Sequence, residues 1–513
     1  MTDWTDGYLT DIGYTHGFYR ELTPLMMSFA ALSQGIRTPS QNHEMCYCEL
    51  GCGQGLSTNI LAAANPHIAF HATDFNPSHI ASAQRLARDS GTKNVHFYDT
   101  SFDQFRHQAG LPEAFDIISL HGIYSWVNKE NRSHIVEFIR NKLKPGGIVY
   151  ISYNTLPGFG SVMPLRQLMV DHADQSSGLI SNRIDAALAF ADELKEIGAQ
   201  YFKDYPLAGG RLEKIKDQSR KYLAHEYFNR DWTPFYFKEV ADELSVAKLT
   251  FVASAYLPDH VGLMNLTAEQ RSFLARETDP IRIQSLRDII VNQQFRRDIF
   301  GKGVERFTLS ESLGAWLESM FVLVQPRKDV SLKIDTRLGE VKLQEEIYDP
   351  ILDAFSNGPL STRDLMKVES IQNIALPNLQ QALTILVGFG ILEPCFSKSK
   401  NTQKAASVSA FNRAVMQRAA GSSDISYMAS PITGGGIHVT RFEQLFLAAR
   451  LKGNKSPEDW AKYVWAVLAT QGQKLKKDGK TLESEEENLS ELVSKAREFQ
   501  EKKLPVLISL QVA

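Results

Sequence analysis

A glycine-rich turn after the first apolar run is the clearest chemical signal in the sequence. It reads Glu49-Leu50-Gly51-Cys52-Gly53-Gln54-Gly55. Glycines at alternate positions let the backbone turn sharply and approach a ligand without Cβ contacts. A helix is predicted to follow, and its first turn presents free N–H groups. The turn therefore predicts a ligand site between a strand and a helix, although a tight structural turn would use the same residues.

Position 56 separates two kinds of nucleotide-binding turn. Dinucleotide folds use Gly-x-Gly-x-x-Gly/Ala, and the last small residue allows close helix packing. Leu56 breaks that rule. An acidic residue followed by Gly-x-Gly-x-Gly instead resembles the turn of class I S-adenosylmethionine (SAM) methyltransferases. The resemblance implies SAM contacts from the turn residues Glu49, Gly51, Cys52, Gly53 and Gly55.

Carboxylates follow the next two predicted strands. Asp74 ends the second strand and is followed by Phe75, at the sheet edge where a carboxylate can accept the hydroxyls of a ribose. Capping of the helix that begins near Pro77 is the alternative role for Asp74. After the third strand, Asp99, Ser101 and Phe102 are expected around an adenine ring. The predicted cofactor-binding residues in this part of the chain are therefore Asp74, Phe75, Asp99, Ser101 and Phe102.

Aromatic and polar residues follow the fourth and fifth strands. His121 is predicted to contact the cofactor, and His121, Tyr153 and Asn154 are the predicted catalytic residues. Tyr124, Trp126 and Tyr153 are the predicted substrate-binding residues. An aromatic pocket attracts a sulfonium or ammonium cation through cation–π interaction. For His121, a loop histidine hydrogen-bonded to backbone is an equally good interpretation.

Two longer runs closely resemble a bacterial family. They are His121-Gly122-Ile123-Tyr124-Ser125-Trp126-Val127 and Ser152-Tyr153-Asn154-Thr155-Leu156-Pro157-Gly158. The family comprises class I SAM methyltransferases with an attached methyltransferase regulatory domain. Its best-known members are rickettsial-type protein-lysine methyltransferases that modify outer-membrane proteins. Further similar stretches spread the resemblance over nearly the whole chain: Tyr14 to Tyr19, Tyr222 to Tyr227 with Trp232 and Pro234, and Ala429 to Gly436.

The resemblance implies SAM as the cofactor, a cofactor contact by Tyr14, and a protein lysine as the acceptor. Phe159 stands where the family pattern has Trp, so the substrate fit is not expected to match in detail. Two other hypotheses stay open. One is a small-molecule O- or N-methyltransferase, and the other is a SAM-sensing regulatory protein.

Catalysis by such an enzyme consists mainly of positioning, because the sulfonium methyl group is already activated. A lysine ammonium, with an ordinary pKa of about 10.4, must first lose a proton. Desolvation in an aromatic pocket lowers that pKa, so a dedicated base is not required. If one acts, His121 and Tyr153 are the candidates.

The elements that must position these residues alternate in the first third of the chain. Strands are predicted at Met45–Leu50, Ile68–Thr73, Asn94–Tyr98, Phe115–Leu120 and Gly147–Tyr153, and helices at Leu56–Ala64, Pro77–Asp89 and Asn131–Leu143. A helix stop and turn are predicted at Lys144–Gly147. Such alternation predicts an α/β fold with a parallel sheet covered on both faces, as in Rossmann-like class I methyltransferases.

The domain organisation is predicted as four regions. Residues 1–156 form the SAM-binding core, and 157–248 form a helical insertion with the regulatory role, after which core strands return within 249–303. Residues 304–400 form a winged-helix-like module with helices at Leu343–Phe355, Thr362–Lys367 and Asn378–Phe389. Residues 401–513 form a C-terminal helical region. Ser397–Ser407 is predicted to be a linker or exposed wing.

Composition limits the remaining function classes. The chain has 513 residues and a net charge of −3, a near-balance that makes nucleic acid an unexpected partner. No apolar run reaches the ~20 residues that span a bilayer, and no export signal is visible. The cysteines are too few for a disulfide framework, and Cys46, Cys48 and Cys52 lack zinc-site spacing, so no metal is expected. These features predict a cytoplasmic protein; its oligomeric state is left open.

Overall fold

The computed structural model describes residues 15–40, 44–397 and 402–513. A seven-stranded sheet forms the centre of the first half of the chain. Its strands are β1 (Met45–Leu50), β2 (Ile68–Asp74), β3 (Val95–Asp99), β4 (Phe115–Leu120), β5 (Leu143–Asn154), β6 (Leu249–Ser254) and β7 (Phe295–Lys302). The spatial order is β3-β2-β1-β4-β5-β7-β6. Only β7 runs antiparallel to its neighbours β5 and β6.

Helices cover both faces of this sheet. Those of the core are α1 (Pro24–Leu32), α2 (Leu56–Ala64), α3 (Pro77–Ser90), α4 (Phe102–Phe105) and α5 (Lys129–Lys142). Every residue of α2 is buried, as expected for a helix that packs between the sheet and another layer. The predicted α/β class with a central, mainly parallel sheet is confirmed.

The predicted helix stop at residues 144–147 is wrong in one respect. These residues lie within β5, where Phe115 pairs with Leu143 but Ile117 pairs with Ile148. Four residues of β5 therefore lie opposite one residue of β4, and Gly146 has φ +80°. These four residues form a bulge at the start of the strand in place of the predicted turn.

The insertion between β5 and β6 is helical. It contains α6 (Met163–Gln175), α7 (Ile180–Glu196), α8 (Gln200–Asp204), α9 (Pro206–Lys216), α10 (Arg220–Tyr227) and α11 (Phe237–Ser245). Helices α6, α7, α9 and α10 share a separate apolar core. Between β6 and β7 follow α12 (Gly262–Asn265), α13 (Ala268–Leu274) and α14 (Pro280–Val291).

A second, smaller sheet follows β7. The elements are α15 (Leu309–Glu318), β8 (Met320–Leu323), β9 (Lys333–Thr336), β10 (Gly339–Lys342), α16 (Glu345–Phe355), β11 (Leu360–Ser361), α17 (Thr362–Leu365), α18 (Leu376–Gly388) and β12 (Leu392–Cys395). The sheet order is β11-β8-β12. The apolar run of α18, Ala382 to Val387, is buried. The three predicted helices are present, whereas the winged-helix assignment stays a prediction.

The C-terminal region packs onto the core. It contains α19 (Thr402–Ala419), β13 (Tyr427–Ser430), β14 (Gly435–His438), α20 (Arg441–Leu451), α21 (Pro457–Ala469), β15 (Lys476–Lys477), β16 (Lys480–Thr481), α22 (Glu485–Glu498) and α23 (Leu504–Ser509). Helix α19 contacts α2 and α3. Residues 402–407, predicted as part of a linker, belong to α19. Within the described ranges, no helix has the length and apolar character needed to cross a membrane.

Candidate functional site

A cavity lies at the carboxyl ends of the central strands, where the strand order reverses between β1 and β4. It encloses about 1320 Å³, including space open to solvent. Parallel sheets bind ligands at this switch point. One part of the lining comes from the core and is here called the cofactor wall. Another part comes from α10 and the segment that follows it and is here called the acidic wall. The predicted residues that line the cavity are Glu49, Gly51, Cys52, Gly53, Gly55, Asp74, Phe75, Ser101, Phe102, His121 and Trp126.

The glycine turn between β1 and α2 requires glycine for two separate reasons. Gly51, Gly53 and Gly55 all have positive φ, at +75°, +52° and +67°. A Cβ on Gly55 would also lie 2.5 Å from the Cβ of Ala83, and one on Gly51 would overlap the side chain of Ile123. The backbone can therefore pass close to a ligand on one side while it packs against protein on the other.

Asp74 holds the turn and keeps some capacity to bind a ligand. Its Oδ2 accepts a hydrogen bond from the N–H of Gly53 at 2.9 Å. Its Oδ1 accepts one from the N–H of Asn76 at 2.9 Å and lies 3.2 Å from Nδ1 of His79. A carboxylate offers about four acceptor positions, so roughly one remains for a ligand hydroxyl. Asp74 is thus a structural anchor as well as a candidate ligand contact.

Glu49 lies under the glycine turn and is almost fully buried. Burial raises the pKa of its carboxyl to about 7, although a hydrogen bond from the Thr58 hydroxyl works in the opposite direction. Near neutral pH this residue therefore carries only part of a negative charge. A bound cation would favour its ionised form.

His121 occupies the end of β4, as predicted, but it is a poor base. Its ring stacks on Tyr19 with 3.7 Å between centroids, and its Nδ1 lies 2.9 Å from the hydroxyl of Tyr150. Burial, followed by the nearby Arg297, lowers the pKa of His121 to about 3. The imidazole is therefore neutral at physiological pH and has little affinity for a proton.

The insertion supplies two carboxylates to the acidic wall. Glu226 of α10 and Asp231, four residues after α10 ends, both line the cavity together with His225. Burial raises the pKa of Glu226 to about 7, opposed by Arg211. Trp126 connects the two walls, because its ring lies 6.1 Å from that of Trp232.

Tyr153 and Tyr124 do not reach the cavity, contrary to expectation. Tyr153 is fully buried, and its hydroxyl donates to Asp298 on β7 at 2.6 Å. Tyr124 is also fully buried, and its hydroxyl donates to Glu243 on α11. Tyr124 thereby connects the segment after β4 to α11, and Tyr153 connects β5 to β7. We therefore assign them no direct contact with a reacting group.

Asn154 and Asp99 also lie outside the cavity lining. Asn154 is buried at the end of β5, where its N–H donates to the Ser125 hydroxyl at 2.9 Å. Asp99 ends β3 and is exposed, while the next residues Thr100 and Ser101 line the cavity instead. Tyr14, the remaining predicted cofactor contact, lies outside the described residues.

Reasoning from the residues alone missed two contributors to the cavity. Residues 15–22, here called the N-terminal strap, supply Thr15, Gly17 and Tyr19 to the lining, and α10 supplies His225 and Glu226. Both segments lie in stretches that resemble the family. The family resemblance of those stretches was the signal available in the sequence. The spacing of residues along the chain gave no indication that either stretch lies near the glycine turn.

The charge of the lining indicates which ligands fit. Among the described lining residues, Glu49, Asp74, Glu226 and Asp231 are acidic, and none is Lys or Arg. Phe75, Phe102 and Trp126 add aromatic surface. Acidic and aromatic groups together suit a ligand with a positive charge and a flat ring, such as SAM. The turn glycines and Asp74 add the backbone approach and the acceptor that its nucleoside requires.

Two family models match the chain. The model described as "Methyltransferase domain" matches residues 48–149, which span β1 to β5. The model described as "Predicted methyltransferase regulatory domain" matches residues 219–302, from α10 to β7. The second match begins inside the predicted helical insertion and extends through the returning strands, so the domain boundaries stay a prediction.

Individual relatives support the same family. An uncharacterized protein of Synechocystis sp. is 46% identical over 510 residues, which cover 99% of this chain and 100% of that protein. An uncharacterized protein of Rickettsia prowazekii is 28% identical over 289 residues, 56% of this chain and 51% of that protein. The solved structure of PKMT2 from Rickettsia typhi in complex with AdoHcy has a TM-score of 0.69 at 17% identity and covers 98% of this chain and 100% of that one.

The fold is thus shared over almost the whole length with a solved structure, and the sequence family extends end to end. SAM is the cofactor, and the chain belongs to the class I SAM-dependent methyltransferases that carry a methyltransferase regulatory domain.

Proposed function

We propose that this methyltransferase transfers the methyl group of SAM to lysine side chains of a protein acceptor. The glycine turn and Asp74 would hold the nucleoside, with Phe75, Ser101 and Phe102 around the adenine. His121 and Trp126 would face the methyl group. SAM supplies an activated methyl group when bound, and the chain positions the acceptor nitrogen in line with it.

The observation that carries the proposal is the acidic second wall of the cavity. Glu226 and Asp231 of the insertion line the same cavity as the glycine turn, and no Lys or Arg is found among the described lining residues. An ammonium group is attracted to such a wall, whereas a phosphate or carboxylate acceptor is repelled. The resemblance of the family motifs to rickettsial protein-lysine methyltransferases supports the same acceptor class.

The acceptor amine must be neutral when it attacks. Burial against Trp126 and the apolar lining would lower the pKa of the lysine ammonium. Burial lowers the pKa of His121 to about 3, which disfavours this ring as a proton acceptor near pH 7. Tyr153 is disfavoured because its hydroxyl donates to Asp298 and does not line the cavity.

Labelling in a bacterial extract tests the proposal. Purified enzyme is added to extract with methyl-labelled SAM, and label is expected in protein bands that protease removes and nuclease does not. Mass spectrometry should then place the methyl group on lysine Nζ. Label that remains in small molecules after removal of protein would favour the alternative of a small-molecule acceptor.

A variant of the turn anchor provides the control. Asp74→Ala removes the acceptor of the Gly53 N–H and should weaken SAM binding roughly tenfold, a loss of about 1.4 kcal/mol. Glu113→Ala, at an exposed position, should bind SAM like the parent protein. SAM binding with no labelled acceptor of any kind would instead support a SAM-sensing regulator.

A further inference from the structure

Glu226 and Asp231 are the two cavity carboxylates that the insertion supplies, and Asp231 lies 3.5 Å from the guanidinium of Arg230. Glu226 lies on α10 and lines the cavity. Glu49 and Asp74 are engaged by Thr58 and by backbone N–H groups of the core. Glu226, in contrast, makes no hydrogen bond or ion pair with any described residue.

A series of neighbouring side chains connects Glu226 to His121, the residue that would face the methyl group. His121, at the end of β4, stacks on Tyr19 of the N-terminal strap. Tyr19 is in turn close enough to Tyr222 to influence the pKa of that phenol. Tyr222 and Glu226 are four residues apart on α10, so they share one face of the helix. Glu226 is therefore connected to His121 through Tyr222 and Tyr19.

The groups that surround Glu226 leave its carboxylate available. Arg211 of α9 lowers the pKa of the Glu226 carboxyl electrostatically, but its Nε donates to the Tyr227 hydroxyl at 2.6 Å and its guanidinium lies 5.8 Å from the centroid of Phe159. The other groups that line the cavity here are the phenol of Tyr19, the ring of His225 and the carboxylate of Asp231. The phenol of Tyr222 interacts with Glu226 from an exposed position on α10. None of them is a cation held against Glu226.

We propose that Glu226 binds the ammonium group of the acceptor and takes one of its protons before methyl transfer. The inference rests on the proposed function, since it requires an amine acceptor. The acceptor ammonium passes one proton to the Glu226 carboxylate, which becomes a neutral carboxylic acid. The amine lone pair then forms the bond to the methyl carbon while the carbon–sulfur bond breaks, and its electron pair stays on sulfur. The product is a methylated ammonium, and Glu226 later returns its proton to solvent.

The chemistry of the site favours this role over a fixed charge. A carboxylate in water holds a proton too weakly to take one from an ammonium. Burial raises the pKa of Glu226 to about 7, and the same burial lowers the pKa of an ammonium beside it. The two proton affinities approach one another, which is the condition for efficient proton transfer.

Two stable analogues of SAM test the proposal without knowledge of the acceptor. In both, nitrogen replaces sulfur and carries a short linker in place of the methyl group; one linker ends in an ammonium and the other in a hydroxyl. The wild-type protein is expected to bind the ammonium analogue roughly tenfold more tightly in calorimetry. Glu226→Gln should reduce that preference to about twofold or less, and Glu226→Asp should retain part of it.

Controls separate this effect from damage to the fold or to the cofactor site. Glu196→Gln changes an exposed glutamate on α7 of the same insertion and should keep the wild-type preference. AdoHcy should bind wild type, Glu226→Gln and Glu196→Gln alike. In the wild type, the ammonium preference should fall as the pH drops below about 7 and Glu226 becomes neutral, and this dependence should be smaller in Glu226→Gln. Glu49 also has a raised pKa and contributes equally to both proteins, so the difference between the two pH profiles reports Glu226.

The outcomes distinguish the two proposals. An unchanged ammonium preference in Glu226→Gln overturns the role of Glu226, whatever the acceptor. If Glu226→Gln does not fold, the ammonium preference of Glu226→Asp and its pH profile, each compared with the wild type, decide the question. Absence of lysine label in the extract, together with a Glu226-dependent ammonium preference, rejects the protein-lysine acceptor and leaves Glu226 as the site for another amine.

Discussion

Glu49 shows how a single buried carboxyl links the cofactor site to pH. It accepts a hydrogen bond from Thr58 beneath the glycine turn, and no Lys or Arg accompanies it in the described cavity lining. Burial is the main reason that the pKa of Glu49 rises to about 7. The free protein must therefore ionise this group at a cost to its own stability near neutral pH, and a cationic ligand would offset that cost.

The stability of the free protein should reflect this ionisation. Between pH 4.5 and about 7 the folded state holds a proton on Glu49 that the unfolded state has lost, so the free energy of unfolding should fall as the pH rises. In Glu49→Gln this contribution is absent. The difference in unfolding free energy, wild type minus variant, should decrease by up to about 3 kcal/mol between pH 4.5 and 8 in urea titrations. Glu113→Gln, at an exposed site, serves as the control, and parallel curves for wild type and Glu49→Gln would contradict the prediction.

Gly55 and Gly91 form a matched pair for testing the glycine turn. Their backbones are nearly identical, with φ 67° and ψ 19° at Gly55 and φ 66° and ψ 20° at Gly91. A Cβ at Gly91 meets nothing within 4 Å, whereas one at Gly55 lies 2.5 Å from Ala83. Gly91→Ala should cost about 1 kcal/mol of stability from the left-handed backbone alone. Gly55→Ala should cost roughly 1–3 kcal/mol more and weaken SAM binding.

Urea unfolding and calorimetry measure the two effects of this pair. Equal stability losses in the two variants would show that the contact with Ala83 relaxes without cost.

The glycine turn and Asp74 were predicted from the sequence because local spacing determines them. The position of Tyr153 outside the cavity was not predicted, although the sequence of β5 contained a local signal for it. Tyr150 and Ser152 of β5 contact His121, so alternation along the strand places Tyr153 on the opposite face.

Among the elements, the segment after α10 attaches the insertion to the sheet. The N–H of Thr233 donates to the carbonyl of Ser125 at 2.8 Å, and Phe235 exchanges backbone hydrogen bonds with Asn154 and Leu156 at 2.9 Å each. The ring of Trp232 lies 5.4 Å from that of Phe159 and 6.1 Å from that of Trp126. The acidic wall is thus fixed to the core by a short, mainly backbone connection.

Removal of the Trp232 ring should loosen the acidic wall while the cofactor wall stays intact. Trp232→Ala is expected to lower kcat/KM for the labelled acceptor roughly tenfold, because the acceptor is less well positioned. The Kd for SAM should change by less than about twofold, since Trp232 does not line the cavity. Trp465→Ala, at a half-buried position on α21, is the matched control. A larger change in SAM affinity than in kcat/KM would contradict this division of roles.

Element boundaries were predictable where they depend on local pattern. Strands β1 and β4 and helix α2 begin and end at the predicted residues. The hairpin of β13 and β14 and the helix α19 were missed, because the small residues in the first and the polar residues in the second obscure the period. The contribution of α10 to the cavity was also missed, since it depends on packing between distant parts of the chain.

In the whole molecule, the C-terminal region holds the N-terminal strap against the cavity. Phe18 of the strap packs on Tyr427 with ring centroids 5.4 Å apart, and a Cβ on Gly436 would lie 3.0 Å from the Phe18 ring. The hydroxyl of Ser57, at the start of α2, donates to the carbonyl of Gly17 at 3.1 Å. The strap therefore lies between the glycine turn and the hairpin of β13 and β14, and it carries Tyr19 to His121.

A small change in the hairpin should therefore reach the cofactor site. Gly436→Ala pushes on Phe18 and should weaken SAM affinity roughly threefold to tenfold by displacing Tyr19, although Gly436 does not line the cavity. Gly421→Ala places its methyl group in open space and should leave SAM affinity unchanged. Calorimetry with SAM checks both variants. Identical affinities would show that the strap adapts without moving Tyr19.

The contact between Phe18 and Tyr427 also affects the order in which parts of the site form during synthesis of the chain. A nascent chain that ends before Tyr427 contains the glycine turn and Asp74 but not the surface on which Phe18 rests. Because domains fold from the N-terminus as translation proceeds, the strap is expected to reach its place beside Tyr427 only after that part of the chain has emerged from the ribosome. Tyr19 would then join His121 later than the glycine turn forms.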